Sequence, residues 1–249
     1  VIKFFAQIYL QMSELTAIIL AGGKGTRLRK AVSDRPKTMA KVINKPFIIY
    51  LLDQLINHKI NSVIISTGYM ANLIENEIGY EYKGLQIQYS QEYEPLGTAG
   101  ALKLAAKIVM TNQCIVLNGD SYIEVDFKKL LLFHDKIKAN ITLVVKKVID
   151  CSRFGTLEVD KKDSIIKFSE KRNTKNPGYI NTGVYLVEKP ILNKLSDKKP
   201  YSLEYEFLPS LIGNNLFAYQ TIGEFIDIGI PESYERAGTF FNELEINRK

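Results

Sequence analysis

The junction at Leu20 constrains the fold more than any other feature. The apolar run Thr16-Ala17-Ile18-Ile19-Leu20 breaks off into Ala21-Gly22-Gly23-Lys24-Gly25-Thr26-Arg27-Leu28. A short β-branched run ended by glycines predicts a buried strand that enters a tight loop. Strands buried on both faces belong in parallel sheets covered by helices. Gly22, Gly23 and Gly25 remove Cβ atoms where the backbone turns, and let N–H groups approach something bulky. Lys24 and Arg27 put fixed positive charge in the same loop, so the bulky partner is anionic. Lys37, after Pro36, adds another cation. The loop fits neither common nucleotide fingerprint. Arg27 stands where a P-loop needs its second glycine, and Leu28 stands where a dinucleotide loop needs its third.

The rest of the chain extends the same pattern. Residues 46–59 (PFIIYLLDQLINHK) open with Pro46 at an expected first helical position and keep helical apolar spacing. Residues 62–67, 85–89 and 114–117 read as further buried strands, and 97–109 as a helix rich in Ala and Leu. Strands alternating with helices imply a mainly parallel sheet. Ligands of such sheets sit beyond the carboxyl ends of the strands, where Asn118-Gly119-Asp120 would also lie. After Ala139 the texture changes. Residues 141–147, 155–159, 165–169 and 179–187 are short strand-like runs parted by turn residues, so antiparallel pairing is expected. Ser202 is a candidate N-cap for a helix over 203–211, and 231–243 read as a closing helix.

Bulk properties exclude several classes. The chain has 249 residues, 46% hydrophobic and 24% charged, which is the composition of a globular protein rather than a disordered one. A surplus of six positive charges is too small to argue for nucleic acid, and Tyr and Phe sit in apolar runs rather than among the cations. No nucleic-acid or membrane partner is expected. Cys114 and Cys151 have no metal-ligand spacing and read as free thiols in a reducing cytoplasm. His58 and His134 read as structural or solvent-facing. Residues 1–11 (VIKFFAQIYLQ) are apolar but too short to span a bilayer, and precede Met12, which looks like a natural initiator. Residues 1–14 are therefore read as an N-terminal extension; with the closing helix they could support self-association into a homo-oligomer.

Gly22-Gly23-Lys24-Gly25-Thr26-Arg27-Leu28 followed by Pro36-Lys37 resembles the signature of the sugar-1-phosphate nucleotidyltransferases. Later motifs agree in order: Glu94-Pro95-Leu96-Gly97-Thr98-Ala99-Gly100-Ala101, Asn118-Gly119-Asp120, Phe154-Gly155, Glu170-Lys171, Asn181-Thr182-Gly183 and Asp227-Ile228-Gly229. Two positions depart from the family pattern: Thr38 follows Lys37, and Arg172 follows Lys171, where proline is common. Within the family, the short chain and the ending 225–232 look most like the D-glycero-D-manno-heptose 1-phosphate guanylyltransferases.

The resemblance implies a Rossmann-like, mainly parallel (mixed) α/β sheet with helices on both faces, plus a small antiparallel sugar-binding lobe. Residues 15–249 would form one domain, with 15–139 as the nucleotide-binding lobe and 140–249 as the sugar-binding lobe and closing helix. It implies that a nucleoside triphosphate, GTP in this sub-family, condenses with a sugar 1-phosphate to give an NDP-sugar and pyrophosphate. Asp120 and Asp227 would hold Mg²⁺, a hard cation that takes oxygen ligands. Arg27 and Lys37 would act on the reacting phosphates. Leu20, Ala21, Gly22, Gly23, Lys24, Gly25 and Thr26 would cradle the triphosphate, Gln91, Glu92, Gly97 and Thr98 would frame base and ribose, and Gly119 would also belong to the nucleotide site. Gly155, Glu170, Lys171, Asn181 and Thr182 would take the sugar phosphate. Thymidylyl-, uridylyl- and mannose-1-phosphate guanylyl transfer stay open, as does a non-catalytic regulatory subunit that binds nucleotide sugars. Such a subunit would be marked by loss of an aspartate or of the loop arginine, and Arg27, Lys37, Asp120 and Asp227 are all present.

Overall fold

A computed structural model describes residues 12–28, 31–169 and 176–247. Residues 1–11 of the expected extension 1–14, and the expected sugar-phosphate ligands Glu170 and Lys171, lie outside the described residues. The apolar run at the start forms β1 (Thr16–Leu20). A two-residue ribbon follows, β2 (Lys41–Val42) with β3 (Lys45–Pro46), and then helix α1 (Phe47–Asn57). Pro46 stands one residue before the helix rather than at its first position, with extended backbone (ψ 144°). Next come β4 (Ser62–Thr67), α2 (Ala71–Ile78), β5 (Glu81–Tyr82), β6 (Leu85–Gln91) and α3 (Gly97–Ala106). They are followed by β7 (Gln113–Asn118), β8 (Ser121–Ile123) and α4 (Phe127–Ile137), whose N-cap Asp126 accepts the Lys129 N–H. The remaining strands are β9 (Ile141–Val148), β10 (Thr156–Val159), β11 (Ile165–Ser169), β12 (Gly178–Glu188), β13 (Leu216–Thr221) and β14 (Phe225–Asp227), before the closing helix α5 (Pro231–Ile246).

Among the described residues the main sheet has ten strands. β1 lies at its centre, parallel to β4 on one side and β7 on the other, with Ile18 opposite Ile64 and Val116. β6 extends the parallel run beyond β4. β12 pairs antiparallel with β7 through its second half, with β10 through Tyr179 and Ile180, and with β9 along its other edge. β13 is parallel to β9, a departure from the antiparallel pairing expected after Ala139. The helices cover both faces, as the continuous apolar runs predict. Alternation sorts the core: Ala17, Ile19, Val63, Ile65, Ile115 and Leu117 face α1 and α5, whereas Ile18, Ile64, Cys114 and Val116 face α3.

Two details place the functional groups. The pairing of β12 with β9 slips between Asn181 and Tyr185, and Gly183 adopts φ +80°, so residues 181–183 form a bulge at the sheet's carboxyl edge. β8 and β14 form a separate antiparallel ribbon in which Ser121 faces Asp227. The expected helix over 203–211 begins at its predicted cap, where the Ser202 hydroxyl accepts the Tyr205 N–H. It then runs as a wide π-type turn over Leu203–Phe207 before a short α turn over Leu208–Ser210. Pro209 lacks the N–H that would have bonded to the Tyr205 carbonyl.

Candidate active site

Beyond β1, Ala21 donates its N–H to Ser66 O (2.8 Å), so the chain leaves the sheet still bonded to β4. The glycines that follow answer to different constraints. A Cβ on Gly22 would stand 2.5 Å from Glu92 Oε1, and one on Gly68 would meet the same oxygen at 2.7 Å. Gly25 has φ +57°, a left-handed conformation, with the Lys37 Cβ at 3.0 Å from its missing side chain. Buried Leu28 anchors the far end and leaves Gly23, Lys24, Thr26 and Arg27 exposed. The loop forms one wall of a cleft of about 710 Å³, to which Leu20 and Ala21 also contribute.

The floor of the cleft carries the charge. Gly119 packs against Thr38 and Leu20, where a Cβ would come within 2.7 Å of Thr38 Cγ2, and its N–H donates to Leu20 O (3.0 Å). This fixes Asp120 at the end of β7. The Asp120 carbonyl accepts the Ile228 N–H (2.9 Å), and the β8–β14 ribbon sets Asp227 beside it. The Asp227 carboxylate accepts the Gly229 N–H. Lys37 Nζ donates to Asp120 Oδ2 at 2.5 Å and lies 3.0 Å from the position a Cβ on Gly229 would take. Burial pushes the Asp227 carboxyl above the usual carboxylate range, and the Asp120 charge adds to the push. Lys37, the Gly229 N–H and Arg153 pull the other way. The sequence thus brings Lys37, Asp120 and Asp227 together from three distant segments.

Packed against the loop at Gly22, Glu92 accepts the Leu96 N–H through Oε2 (3.1 Å), and burial raises its carboxyl despite that bond. Gly97 lines the cleft with φ +76°, and a Cβ there would lie 2.5 Å from Tyr201 O. Thr98 also lines it, but its hydroxyl is committed: it donates to Glu204 Oε2 (2.8 Å) and accepts the Leu203 N–H (2.8 Å). Gln91 is not among the lining residues; it pairs with Thr67 at the end of β6. The described members of the sugar-side set, Gly155, Asn181 and Thr182, are not among the residues lining this cleft. Gly155 is exposed just before β10, and Asn181 sits on the β12 bulge, bonded to Tyr185 Oη and to the Gly183 N–H. Thr182 is 1% exposed, and its hydroxyl donates to Val144 O (2.7 Å).

Sequence reasoning passed over several residues here. Thr38 and Asn118 line the cleft, and Thr38 Oγ1 and Asn118 Oδ1 have no hydrogen-bond partner among the described residues. Gly68, directly after the expected strand 62–67, also lines the cleft. Arg153 donates from Nη2 to Ser233 Oγ (3.2 Å), lies 5.6 Å from the centre of the Phe154 ring and acts electrostatically on Asp227. Its signal was a cation directly before Phe154-Gly155.

A parallel sheet with a cationic glycine loop at one strand end and a paired carboxylate at the next defines a phosphate-handling α/β enzyme. The chain belongs to the nucleotidyl transferase family, whose profile matches residues 16–243. It is 39% identical over 224 residues to the D-glycero-alpha-D-manno-heptose 1-phosphate guanylyltransferase of Aneurinibacillus thermoaerophilus, covering 90% of this chain and 96% of that one. The enzyme of the same name from Campylobacter jejuni is 41% identical over 222 residues, with 88% and 97% coverage. The crystal structure of HddC from Yersinia pseudotuberculosis complexed with GMP-PN superposes with a TM-score of 0.81 at 34% identity, covering 91% of this chain and 99% of that one. No helix among the described residues is long and apolar enough to cross a membrane.

Proposed function

We propose that the chain transfers a guanylyl group from GTP to a sugar 1-phosphate, a D-glycero-D-manno-heptose 1-phosphate, and releases pyrophosphate. The observation that carries the reaction type is the convergence of Lys37 and Asp120 in a cleft walled by the glycine loop, with Asp227 packed beside Asp120. The choice of guanine and heptose is supported by the names of the relatives above.

In this reading a phosphate oxygen of the sugar 1-phosphate attacks the α-phosphorus of GTP. A new P–O bond forms, the bond to the bridging α–β oxygen breaks, and pyrophosphate carries away that electron pair. No protein nucleophile is required, so the residues position the reactants and neutralise charge. Lys24 and Arg27 hold the triphosphate, with Arg27 near the leaving pyrophosphate, and Lys37 holds the reacting phosphates. Lys171 takes the sugar phosphate, and Glu170, Gly155 and Asn181 serve the sugar side. Thr182, with its hydroxyl on Val144, supports that wall from behind. Glu92 offers an acceptor suited to the N1–H and N2–H₂ donors of guanine, over the backbone of Gly97 and Thr98.

The donor set fits a hard divalent cation, here Mg²⁺. Asp227 ends the β8–β14 ribbon and Asp120 directly precedes it, and the Asp227 carboxyl is pushed towards its protonated form partly by its neighbour's charge, which a cation would relieve. No group of three or more His, Cys, Asp or Glu is found among the described residues, which suits an ion that completes its shell with water and phosphate oxygens. Bound there, Mg²⁺ supplies neutralisation of the phosphate charge.

The test is pyrophosphate release with GTP, UTP, dTTP, CTP and ATP against a panel of sugar 1-phosphates. GTP with the manno-heptose 1-phosphate should be used best, and preference for another base would reject the guanylyl assignment. In the same assay Asp120→Asn should lower Mg²⁺-dependent release by about 100-fold or more, with an unchanged circular dichroism spectrum. Undiminished turnover in that variant would remove the metal assignment.

A further inference from the structure

Lys37 reaches the floor of the cleft by a path that leaves it little freedom. The turn that carries it is pinned, with the Met39 N–H on Pro36 O (2.8 Å) and the Ala40 N–H on Lys37 O (3.0 Å). Its side chain is 10% exposed and is flanked at both ends by glycines. A Cβ on Gly25 would stand 3.0 Å from Lys37 Cβ and 3.8 Å from Cδ, and one on Gly229 would stand 3.0 Å from Nζ. The stem therefore passes along the glycine loop and delivers its ammonium to the residue whose N–H binds the Asp227 carboxylate.

A lysine this buried needs an anion. It takes Asp120, whose Oδ2 accepts from Nζ at 2.5 Å. The same carboxylate is the one read above as a metal ligand. An ammonium and a divalent cation on one carboxylate repel each other at close range, so each weakens the hold of the other. The ammonium is also suited to giving way. It is a point charge on a flexible four-carbon stem and can turn to another anion without matching a planar fork. The phosphates that enter this cleft offer such an anion.

We propose that Lys37 is a resident counter-ion for Asp120 that competes with the divalent cation, so that the free protein binds metal poorly until phosphates draw the ammonium away. This rests on the metal and phosphate roles proposed above. Metal and nucleotide then each strengthen the binding of the other, because both favour the position of Lys37 away from Asp120.

The experiment measures binding of Mn²⁺ alone to the nucleotide-free full chain, from the electron paramagnetic resonance signal of the unbound ion. Lys37→Met keeps most of the stem without the charge and should bind Mn²⁺ about 10-fold or more tighter than the intact protein. Lys37→Arg keeps the charge and should stay close to the intact protein. Lys24→Met removes an exposed cation from the same cleft and should also stay close, since solvent screens that charge. Adding Asp120→Asn to Lys37→Met should abolish the gain. Should Lys37→Met not fold, Lys37→Gln serves the same comparison. An unchanged Mn²⁺ affinity in the folded Met or Gln variant overturns the inference, as does equal tightening in Lys24→Met. A gain that survives Asp120→Asn would instead overturn the metal assignment on which it rests.

Discussion

Glu92 shows what single residues contribute beyond their type. Its carboxylate is pressed between two glycines and keeps one backbone N–H as partner. Burial raises its pKa in the folded state, against the bond from Leu96. A carboxyl with a raised folded pKa binds its proton more tightly when folded than unfolded. Its ionisation therefore costs stability above the folded pKa, and that cost fades as pH falls through the raised value to the ordinary carboxylate pKa of about 4.3. Glu92→Gln is expected to melt above the parent protein at neutral pH, with the two curves meeting in acid. Thermal melts across pH check this, and a gap independent of pH would contradict it. The residue type and its place near the base were legible in the sequence. The demand that Gly22 and Gly68 stay bare for its sake was not, because Gly68 belongs to a different strand end.

Elements were legible to the degree that burial dictates their pattern. The strands Ser62–Thr67 and Ile165–Ser169 match the expected bounds residue for residue, since continuous or bounded apolar runs leave little choice. The ribbons β2–β3 and β8–β14 are too short to have a period, and only the pairing partner makes them strands. The helix after Ser202 was misjudged in kind: its cap was readable, but the widening before Pro209 depends on what the segment packs against. Gly97 is a similar case. It was expected to lie flat under a base, yet its left-handed φ and the closeness of Tyr201 demand glycine for the fold as well. Gly97→Ala should cost about 1–3 kcal/mol and push away the Tyr201 backbone that packs against it. The denaturant midpoint should fall, and KM for GTP should rise more than KM for the sugar phosphate; an unchanged midpoint would show the contact to be slack.

For the molecule as a whole, the sequence suggested two lobes parted near residue 139, while the strands of both halves share one sheet. β12 lies between β7 and β9, a pairing no local window can reveal. The closing helix was expected, but not the face it offers. Phe241 is 2% exposed and stacks on Tyr50 with ring centres 3.6 Å apart, edge-on to Phe47 and Tyr122. It thus joins α1 and the β8–β14 ribbon to α5. Phe241→Ala should destabilise by about 3–5 kcal/mol, read as a lower melting temperature. Because Tyr122 belongs to the ribbon carrying the carboxylates, activity should fall at temperatures where the fold still holds. Activity and melting that decline together would show that the ribbon does not depend on this packing.

The ribbon has one more consequence. β8 and β14 stand far apart in the sequence, so Asp120 and Asp227 are neighbours only while the two strands stay paired. An opening that released β14 alone would leave Asp120 with Lys37 and without its second carboxylate.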